Sequence, residues 1–403
     1  MSIFVSILGL GFLILIHEAG HFFVARGVGM NPRKFYLGFP PAIAKTKRNG
    51  IEYGIGAIPL GGYVKIPGMH RPAAGDLDLH FGRAVEEAPS LRRPVEELRR
   101  TLDESDYEAA REVLTRLPEA IEAASLSHAA HRSAERGLSE VADALAPDAY
   151  WRAKTWKRVA VIFAGPGANL LLTLVLFTAL FMSGGGKATQ IVDEVVPGTP
   201  AATIGLQAGD RVVAIAGRPV SPDQISQTIS SSGGRPLTVV VQRGDSRVTL
   251  GPVAPRQSNG AYRLGFILRG EGLGPAAAAQ ESVRVTGIVT KEIGGSVGRL
   301  VTGDGRDEIS SPVGIVQGSS EAVEQGRDTY LWVLGLISLS LALLNLLPLL
   351  PLDGGHIAFS LVEGIRGKAV TREVYERVSA VGIAIVLLLF FIGLSNDIGR
   401  LGN

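Results

Sequence analysis

Residues 3–25 read IFVSILGLGFLILIHEAGHFFVA, an apolar stretch with two histidines and a glutamate near its end. As a helix it is long enough to cross a bilayer, which needs about 20 residues. His17 and His21 share one helical face, one turn apart, where both imidazoles can bind a single Zn²⁺ while Glu18 activates a metal-bound water. Ionisable residues inside a membrane span are costly and mark functional sites. The first hypothesis is a metalloprotease that works within the bilayer.

The composition indicates a membrane protein with at least one soluble module. The chain has 403 residues, is 46% hydrophobic and has a mean hydropathy of +0.24. It contains no cysteine, which excludes disulfides, thiolate zinc sites and a cysteine nucleophile. The formal net charge of +2 does not identify a class of partner, and we expect no nucleic-acid partner.

Four stretches are predicted to be transmembrane helices because they are apolar and long enough. They are residues 3–25, 159–182, 331–350 and 378–394. A signal peptide is disfavoured for the first, because no Lys or Arg precedes it. The third runs into Pro348 and Pro351, which break a helix unless the freed backbone groups are buried in protein or face a cavity.

Basic residues predict the orientation of these spans. They follow the first span, precede the second and lie between the third and fourth, at Arg26, Arg33, Lys34, Lys45, Lys47, Arg48, Arg152, Lys154, Lys157, Arg158, Arg366, Lys368, Arg372 and Arg377. Because cytoplasmic loops carry this excess, both termini and the chain between the second and third spans are expected outside. We expect a multi-pass protein of a bacterial inner or plasma membrane, with the histidine motif near the cytoplasmic side.

Residues 187–271 are predicted to form a small β-rich domain outside the membrane. The predicted strands are residues 190–195, 211–215 and 237–242. The segments 197–202 (PGTPAA) and 205–210 (GLQAGD) resemble the signature of a bacterial PDZ domain. Such domains bind extended peptides or chain ends at a sheet edge. A generic small β domain is the alternative.

Residues 51–66 alternate in polarity around the pair Gly61-Gly62, which predicts a membrane-associated β-hairpin or loop. Beside a metal site, a free strand edge would hold an unwound substrate by backbone pairing, without demanding a particular sequence. Gly61 and Gly62 are therefore candidate substrate-binding residues. The alternative is a structural hairpin that only packs on the membrane face.

Residues 345–356 read NLLPLLPLDGGH and supply a candidate third zinc ligand. A catalytic zinc site needs three protein ligands and an open position. By the predicted topology, Asp353 lies at the same membrane edge as His17 and His21. A helix cap or an arginine partner is the alternative role for this carboxylate.

Together these motifs resemble the site-2 protease family of intramembrane zinc metalloproteases, in particular the branch of the bacterial regulator of sigma-E protease. The similar segments are residues 17–21, 60–65 (LGGYVK), 165–169 (GPGAN), the PDZ-like module and residues 345–354. The resemblance implies cleavage of single-span membrane proteins, such as anti-sigma factors or remnant signal peptides. It implies His17, His21 and Asp353 as ligands of one Zn²⁺ per chain, and Glu18 as the general base.

Two asparagines match family positions near such a site. The amides of Asn345 and Asn169 are candidates to hydrogen-bond the substrate backbone or the developing oxyanion. For Asn169 an interhelical hydrogen bond is the alternative. Because a helical substrate hides its peptide bonds in hydrogen bonds, it must unwind, and the broken helix around Pro348 and Pro351 is a candidate acceptor of the freed backbone.

The stretch 70–150 departs from the family pattern and is called the insertion below. Helices are predicted over residues 95–102, 107–114 and 126–145, separated by Pro118 and Gly137. They predict a solvated cytoplasmic hairpin or small bundle, which either gates the site or binds a partner. Residues 282–299 predict an interfacial helix, and residues 303–318, including Ser311-Pro312-Val313-Gly314, predict a loop.

The predicted fold is a polytopic α-helical membrane protein of about four transmembrane helices, with a membrane-associated β-hairpin, an extracytoplasmic PDZ-like domain and a helical cytoplasmic insertion. The predicted boundaries are 1–69, 70–150, 151–186, 187–271, 272–327 and 328–403. Two functions remain: a zinc intramembrane endopeptidase, or a non-catalytic PDZ-containing adaptor with a structural metal site. Glu18 favours the enzyme, because a structural site needs no base. A zinc transporter is disfavoured, because one such motif with an aspartate offers no relay of ligands across the membrane.

Overall fold

The computed structural model describes residues 1–258, 261–303, 305–306 and 309–401. Its helices and strands are α1 (Ser2–Gly27), β1 (Lys34–Arg48), β2 (Ile51–Lys65), α2 (Ala74–Glu87), α3 (Arg92–Asp103), α4 (Tyr107–Ala123), α5 (His128–Leu145), α6 (Thr155–Leu180), β3 (Lys187–Val195), α7 (Pro200–Thr203), β4 (Arg211–Ile215), β5 (Arg218–Pro219), α8 (Pro222–Ser230), β6 (Leu237–Arg243), β7 (Ser246–Val253), β8 (Arg256–Ser258), β9 (Ala261–Arg263), β10 (Phe266–Glu271), α9 (Pro275–Thr302), α10 (Pro312–Glu324), α11 (Arg327–Asn345), α12 (Asp353–Arg366) and α13 (Arg372–Leu401).

Among the described residues, four helices are long and apolar enough to cross a membrane, as predicted. They are α1, α6 with the π-helical turn that follows it, α11 and α13. The chain divides into two compact units. The first comprises Met1–Leu172, Ile293–Glu324 and Leu336–Asn403, and the second comprises Thr173–Glu292 and Gln325–Gly335.

The third span is shorter than predicted. Helix α11 ends at Asn345, not at residue 350, and turns connect it to α12, which begins at Asp353. Proline has no N–H for the helical ladder and also disfavours helical geometry in the residue before it. Pro348 therefore ends the helix upstream of itself, and the predicted break is present between α11 and α12.

The predicted hairpin has a different turn. Strand β2 runs through Gly61 and Gly62 without a break, and Gly62 pairs with Leu37 of β1. The chain turns instead at Asn49 and Gly50, which have φ values of 51° and 80°. Asn-Gly is a strong hairpin signal because both positions need positive φ. Placing the turn at the glycine pair was wrong, since paired glycines also fit an extended strand.

Strands β1 and β2 form one sheet in which segments of each strand pair twice. Residues 34–37 run parallel to residues 52–55 on one side and antiparallel to residues 62–65 on the other. Leu37 pairs with both Ile55 and Gly62, and Ile55 also pairs with Ala44. The two long strands therefore fold back into a wider ribbon of short segments. The end of β2, residues 62–65, pairs with the start of β1.

The insertion contains helices α2 to α5 around a shared core. Its fully buried side chains include Leu77, Phe81, Leu98, Leu117 and Ile121. The predicted breaks at Pro118 and Gly137 were wrong, because these residues lie inside α4 and α5. A proline inside a helix costs about 3 kcal/mol. Burying a large aliphatic side chain such as Leu117 or Ile121 contributes about 1.5–3 kcal/mol each, which offsets that cost.

The second unit contains the predicted β-rich module. Its main sheet has the strand order β10-β3-β4-β6-β7, with β5 paired to β4. The predicted strands lie within β3, β4 and β6. Val192, Val212, Val239 and Val241 are buried in the core of this module.

A buried ion pair joins Asp210, directly before β4, to Arg243, the last residue of β6. Asp210, whose surface is 1% exposed, accepts hydrogen bonds of 2.7 Å from both Nε and an Nη of Arg243. The backbone N–H of Gln207 also donates to Asp210, at 2.9 Å. These bonds to Arg243 and Gln207 favour the charged carboxylate and hold the pKa of Asp210 below its ordinary value.

Replacing Asp210 with asparagine should destabilise the module. Because Arg243 is partly in water, we expect a loss of about 2 kcal/mol at pH 7, measured by hydrogen exchange of β4 and β6 amides in the full-length protein. With a lowered folded pKa, the carboxylate stabilises the module above the unfolded pKa of about 3.9 and loses this contribution as the pH falls through the folded value. The difference between the proteins should therefore shrink below about pH 4. Asp245→Asn, at an exposed turn position, is the matched control; equal protection of Asp210→Asn and wild type at pH 7 would contradict the expectation.

The segment predicted as a loop around residues 311–314 begins a helix instead. Pro312 is the first residue of α10, and the Ser311 hydroxyl accepts from the Val313 N–H at 3.1 Å. The carboxylate of Asp397 accepts from the N–H groups of Ser311 and Gly314, at 2.8 and 3.1 Å. Serine before a proline is a helix start as well as a turn signal, and the distant carboxylate completes the cap.

Candidate active site

Three side chains from the two ends of the chain converge in the first unit. His17 Nε2 lies 3.1 Å and His21 Nε2 lies 3.4 Å from Oδ2 of Asp353, and the two Nε2 atoms are 3.3 Å apart. A tetrahedral Zn²⁺ with bonds of about 2.0–2.1 Å separates its ligand atoms by roughly 3.3 Å. Two neutral imidazoles and a carboxylate are also a donor set that zinc prefers. The residues present therefore fit this ion.

The second nitrogen of His21 is held by the backbone of α6. Its Nδ1 lies 2.8 Å from the carbonyl oxygen of Val161, so Nδ1 carries the proton and donates, and Nε2 is left with its lone pair. Gly165, one turn further along α6, packs against the same ring. A Cβ at Gly165 would overlap the imidazole, with Nε2 as the nearest atom. Close approach of α6 thus sets the position of His21.

Glu18 lies next to the end of β2. The Val64 backbone N–H lies near the Glu18 carboxylate. A Cβ at Gly62 would lie 2.8 Å from Glu18 Cγ and 2.8 Å from the Tyr36 carbonyl oxygen, so a side chain there would displace Glu18. The strand that carries Gly62 therefore touches the candidate base directly.

Asp353 is placed by the turn that follows α11. It is the first residue of α12, where the helix dipole favours a negative charge. Gly354 and Gly355, which follow it, are buried. Pro348 and Pro351 lie in the turn itself. This arrangement brings a carboxylate from the C-terminal region onto the two histidines of α1.

The two candidate asparagines differ in their contacts. Asn345, the last residue of α11, donates from Nδ2 to the carbonyl of Leu341 in its own helix, at 3.0 Å. Asn169 of α6 is fully buried, and its backbone carbonyl accepts a hydrogen bond of 2.9 Å from Ser338 Oγ. Gly61 lies against the ring of Phe39, away from the three candidate ligands.

A cavity of about 520 Å³ borders the same strand end. Its lining includes Tyr63, Val64 and Lys65 of β2, together with Tyr375 and Ser379 of α13. The cavity thus borders the strand that touches Glu18, and its lining does not include the three candidate ligands.

Comparison with known proteins identifies the family. Residues 5–389 match the sequence profile of peptidase family M50. The chain belongs to this family. Among M50-type relatives, it is similar to zinc metalloprotease RasP of Geobacillus kaustophilus, with 31% identity over 425 aligned residues that cover 99% of this chain and 98% of the relative. It is also similar to probable protease eep of Enterococcus faecalis, with 28% identity over 431 aligned residues and 99% coverage of each chain.

Membership of peptidase family M50 confirms the prediction of a protease, and the relatives confirm the zinc metalloprotease class with its zinc cofactor. The four apolar helices agree with a membrane protein. Sequence reasoning missed the Val161 carbonyl and the Val64 N–H, because backbone groups carry no residue signature. The close packing of Gly165 was detectable only as part of the motif at residues 165–169.

Proposed function

We propose that this M50 peptidase is an intramembrane zinc endopeptidase that cleaves single-span membrane proteins. His17, His21 and Asp353 would hold the metal, and Glu18 would be the general base. The observation that carries the proposal is the triangle of ligand atoms at 3.1 to 3.4 Å on α1 and α12. A carboxylate beside that triangle distinguishes a hydrolytic site from a structural one.

The chemistry of hydrolysis divides between the metal and the protein. Zinc, when bound, supplies Lewis acidity and lowers the pKa of a coordinated water to about 7. Glu18 takes a proton from the attacking water and returns it to the leaving amine. The Val64 N–H lies near the Glu18 carboxylate and would orient it for both transfers. The Val161 carbonyl keeps His21 in the tautomer that a ligand needs.

The substrate would bind in an extended form. A helical span must unwind before its peptide bond can be attacked, and its freed N–H and C=O groups then need partners. We propose that the edge of β2 at Gly61 and Gly62 pairs with this backbone, beside Glu18. The turn at Pro348 and Pro351, and the amides of Asn345 and Asn169, would supply further partners. Asn345 would have to release the Leu341 carbonyl to do so.

We further propose the sidedness expected from the basic loops, in a bacterial inner or plasma membrane. The site would lie near the cytoplasmic side, and the PDZ-like module at residues 187–271 would lie outside and bind a peptide or chain end at a sheet edge. Substrates such as anti-sigma factors or remnant signal peptides have the single span that this arrangement requires.

The proposal is tested by cleavage of a tagged single-span reporter that lacks its outer domain. In membranes that contain the Glu18→Gln variant, product formation should fall about 10²–10⁴-fold relative to wild type, because the general base is lost. Zinc content should not change, since Glu18 is not a ligand. Glu119→Gln, at an exposed position of α4, is the matched control. Wild-type activity in Glu18→Gln would overturn the proposal, and no product from any form, across several reporters, would favour the adaptor function.

A further inference from the structure

The two ends of the insertion lie side by side, at residues 67–68 and 150–151, which we call the root of the insertion. The Tyr150 N–H donates to the Pro67 carbonyl at 2.9 Å, and the Trp151 N–H donates to the Gly68 carbonyl at 3.1 Å. The chain therefore leaves β2, forms helices α2 to α5, and returns to the point where it left. An insertion with adjacent ends can be added to a fold without separating the elements around it.

A carboxylate of the insertion, near its root, forms ion pairs with residues at the end of the sheet formed by β1 and β2. Asp143, near the end of α5, lies 2.8 Å from Lys65 Nζ and 2.9 Å from Arg33 Nε. Its side chain is 13% exposed, so water screens these ion pairs less than at an open surface. Lys65 is the last residue of β2, and Arg33 directly precedes β1.

The two cations that bind Asp143 are also joined through their backbones. The Arg33 N–H donates to the Lys65 carbonyl at 2.7 Å. Arg33 in addition reaches Asp148 with two bonds of 3.1 Å, and Asp148 accepts from the Asn31 N–H at 3.2 Å. The insertion thus binds both strands at the one place where β1 begins and β2 ends.

This contact lies next to the residues that touch Glu18. Gly62, where a Cβ would lie 2.8 Å from Glu18 Cγ, and Val64, whose N–H lies near the Glu18 carboxylate, shortly precede Lys65. Gly62 is three residues away, or about 10 Å along a strand. A second contact of the insertion reaches α12, the helix that begins at Asp353, because the Tyr150 hydroxyl lies 3.0 Å from Ser360 Oγ, about two helical turns after Asp353.

We infer that Asp143 is a positioning residue, through which the insertion holds the end of β2 against Glu18. The inference rests on the proposed function, since it gives the insertion a role in placing the strand that would pair with the substrate. Asp143 acts on the reaction through Lys65 and Val64. It takes no part in proton transfer or metal binding.

The test combines kinetics with hydrogen exchange on the full-length protein. In Asp143→Asn, kcat for reporter cleavage should fall about ten-fold with unchanged zinc content. Amides of residues 61–66 should exchange about ten-fold faster, while amides of α3 and α4 keep their protection, because the bundle core does not include Asp143. Asp143→Glu should restore most of both losses, since it restores the charge. Glu119→Gln is the control and should match wild type in both measurements.

Lys65→Met provides the second variant, because it removes the ion pair between Asp143 and the end of β2 without altering the insertion. Amides of residues 61–66 should exchange faster in Lys65→Met as well. This result remains informative if Asp143→Asn unfolds the bundle. Wild-type exchange at these residues in Lys65→Met, or wild-type kcat and exchange in a folded Asp143→Asn, would overturn the inference. If the wild-type protein cleaves no reporter, the proposed function fails, and the exchange comparison still decides whether Asp143 holds the strand.

Discussion

Asp353→Asn should lose its zinc and its protease activity together. The side-chain amide is neutral and is a weak zinc ligand, so only His17 and His21 would remain to hold the ion. Removing a residue that only hydrogen-bonds a metal ligand typically lowers metal affinity about 10–100-fold. Asp353 is itself a candidate ligand, so we expect its loss to lower zinc affinity about 100-fold or more. Cleavage should fall roughly 10³-fold or more, because several kcal/mol of transition-state stabilisation depends on the bound metal.

Zinc content per chain and reporter cleavage, measured on the same purified protein, check this expectation. Glu18→Gln is the informative comparison, since it should lose cleavage and keep zinc. Asp103→Asn, at an exposed position in the insertion, is the matched control for the substitution itself. Full zinc occupancy in Asp353→Asn at low free zinc would show that another group is the third ligand.

Gly165→Ala is also expected to have a large effect, although Gly165 carries no side chain. The added Cβ would overlap the His21 ring, whose Nδ1 is held 2.8 Å from the Val161 carbonyl oxygen. A displacement of about 1 Å at a reacting centre can cost about 10²-fold in rate, and we expect a loss of that order. Zinc affinity should fall as well, because His21 can no longer direct Nε2 at the shared site while it donates to Val161.

Gly167→Ala on the same helix separates this effect from helix propensity. Its Cβ would meet only the Phe163 ring, at 3.2 Å, and Phe163 is 45% exposed and can rotate away. Both substitutions favour the helix equally. Cleavage and zinc titration should therefore be near wild type in Gly167→Ala and strongly reduced in Gly165→Ala. Equal activity of the two variants would contradict the packing argument.

Local patterns predicted the elements better than their ends. The apolar runs identified all four candidate membrane helices, because length and hydrophobicity are properties of the chain itself. The turn at Gly61-Gly62, the breaks at Pro118 and Gly137, and the loop at residues 311–314 were wrong. In each case a partner distant in sequence decided the outcome: Leu37 for the strand, the shared bundle core for the helices, and Asp397 for the start of α10.

The sequence by itself determined the chemistry of this protein. Two histidines at helical spacing, a glutamate between them and an aspartate after a proline-broken helix predict a zinc site, a general base and a membrane setting, because these predictions need only residue type and local spacing. Only the tertiary structure decided what holds them in place. The Val161 carbonyl on His21, the Val64 N–H on Glu18 and the Asp143 contact to Lys65 are backbone or long-range contacts. Such contacts depend on how separate elements pack, and no local pattern encodes them.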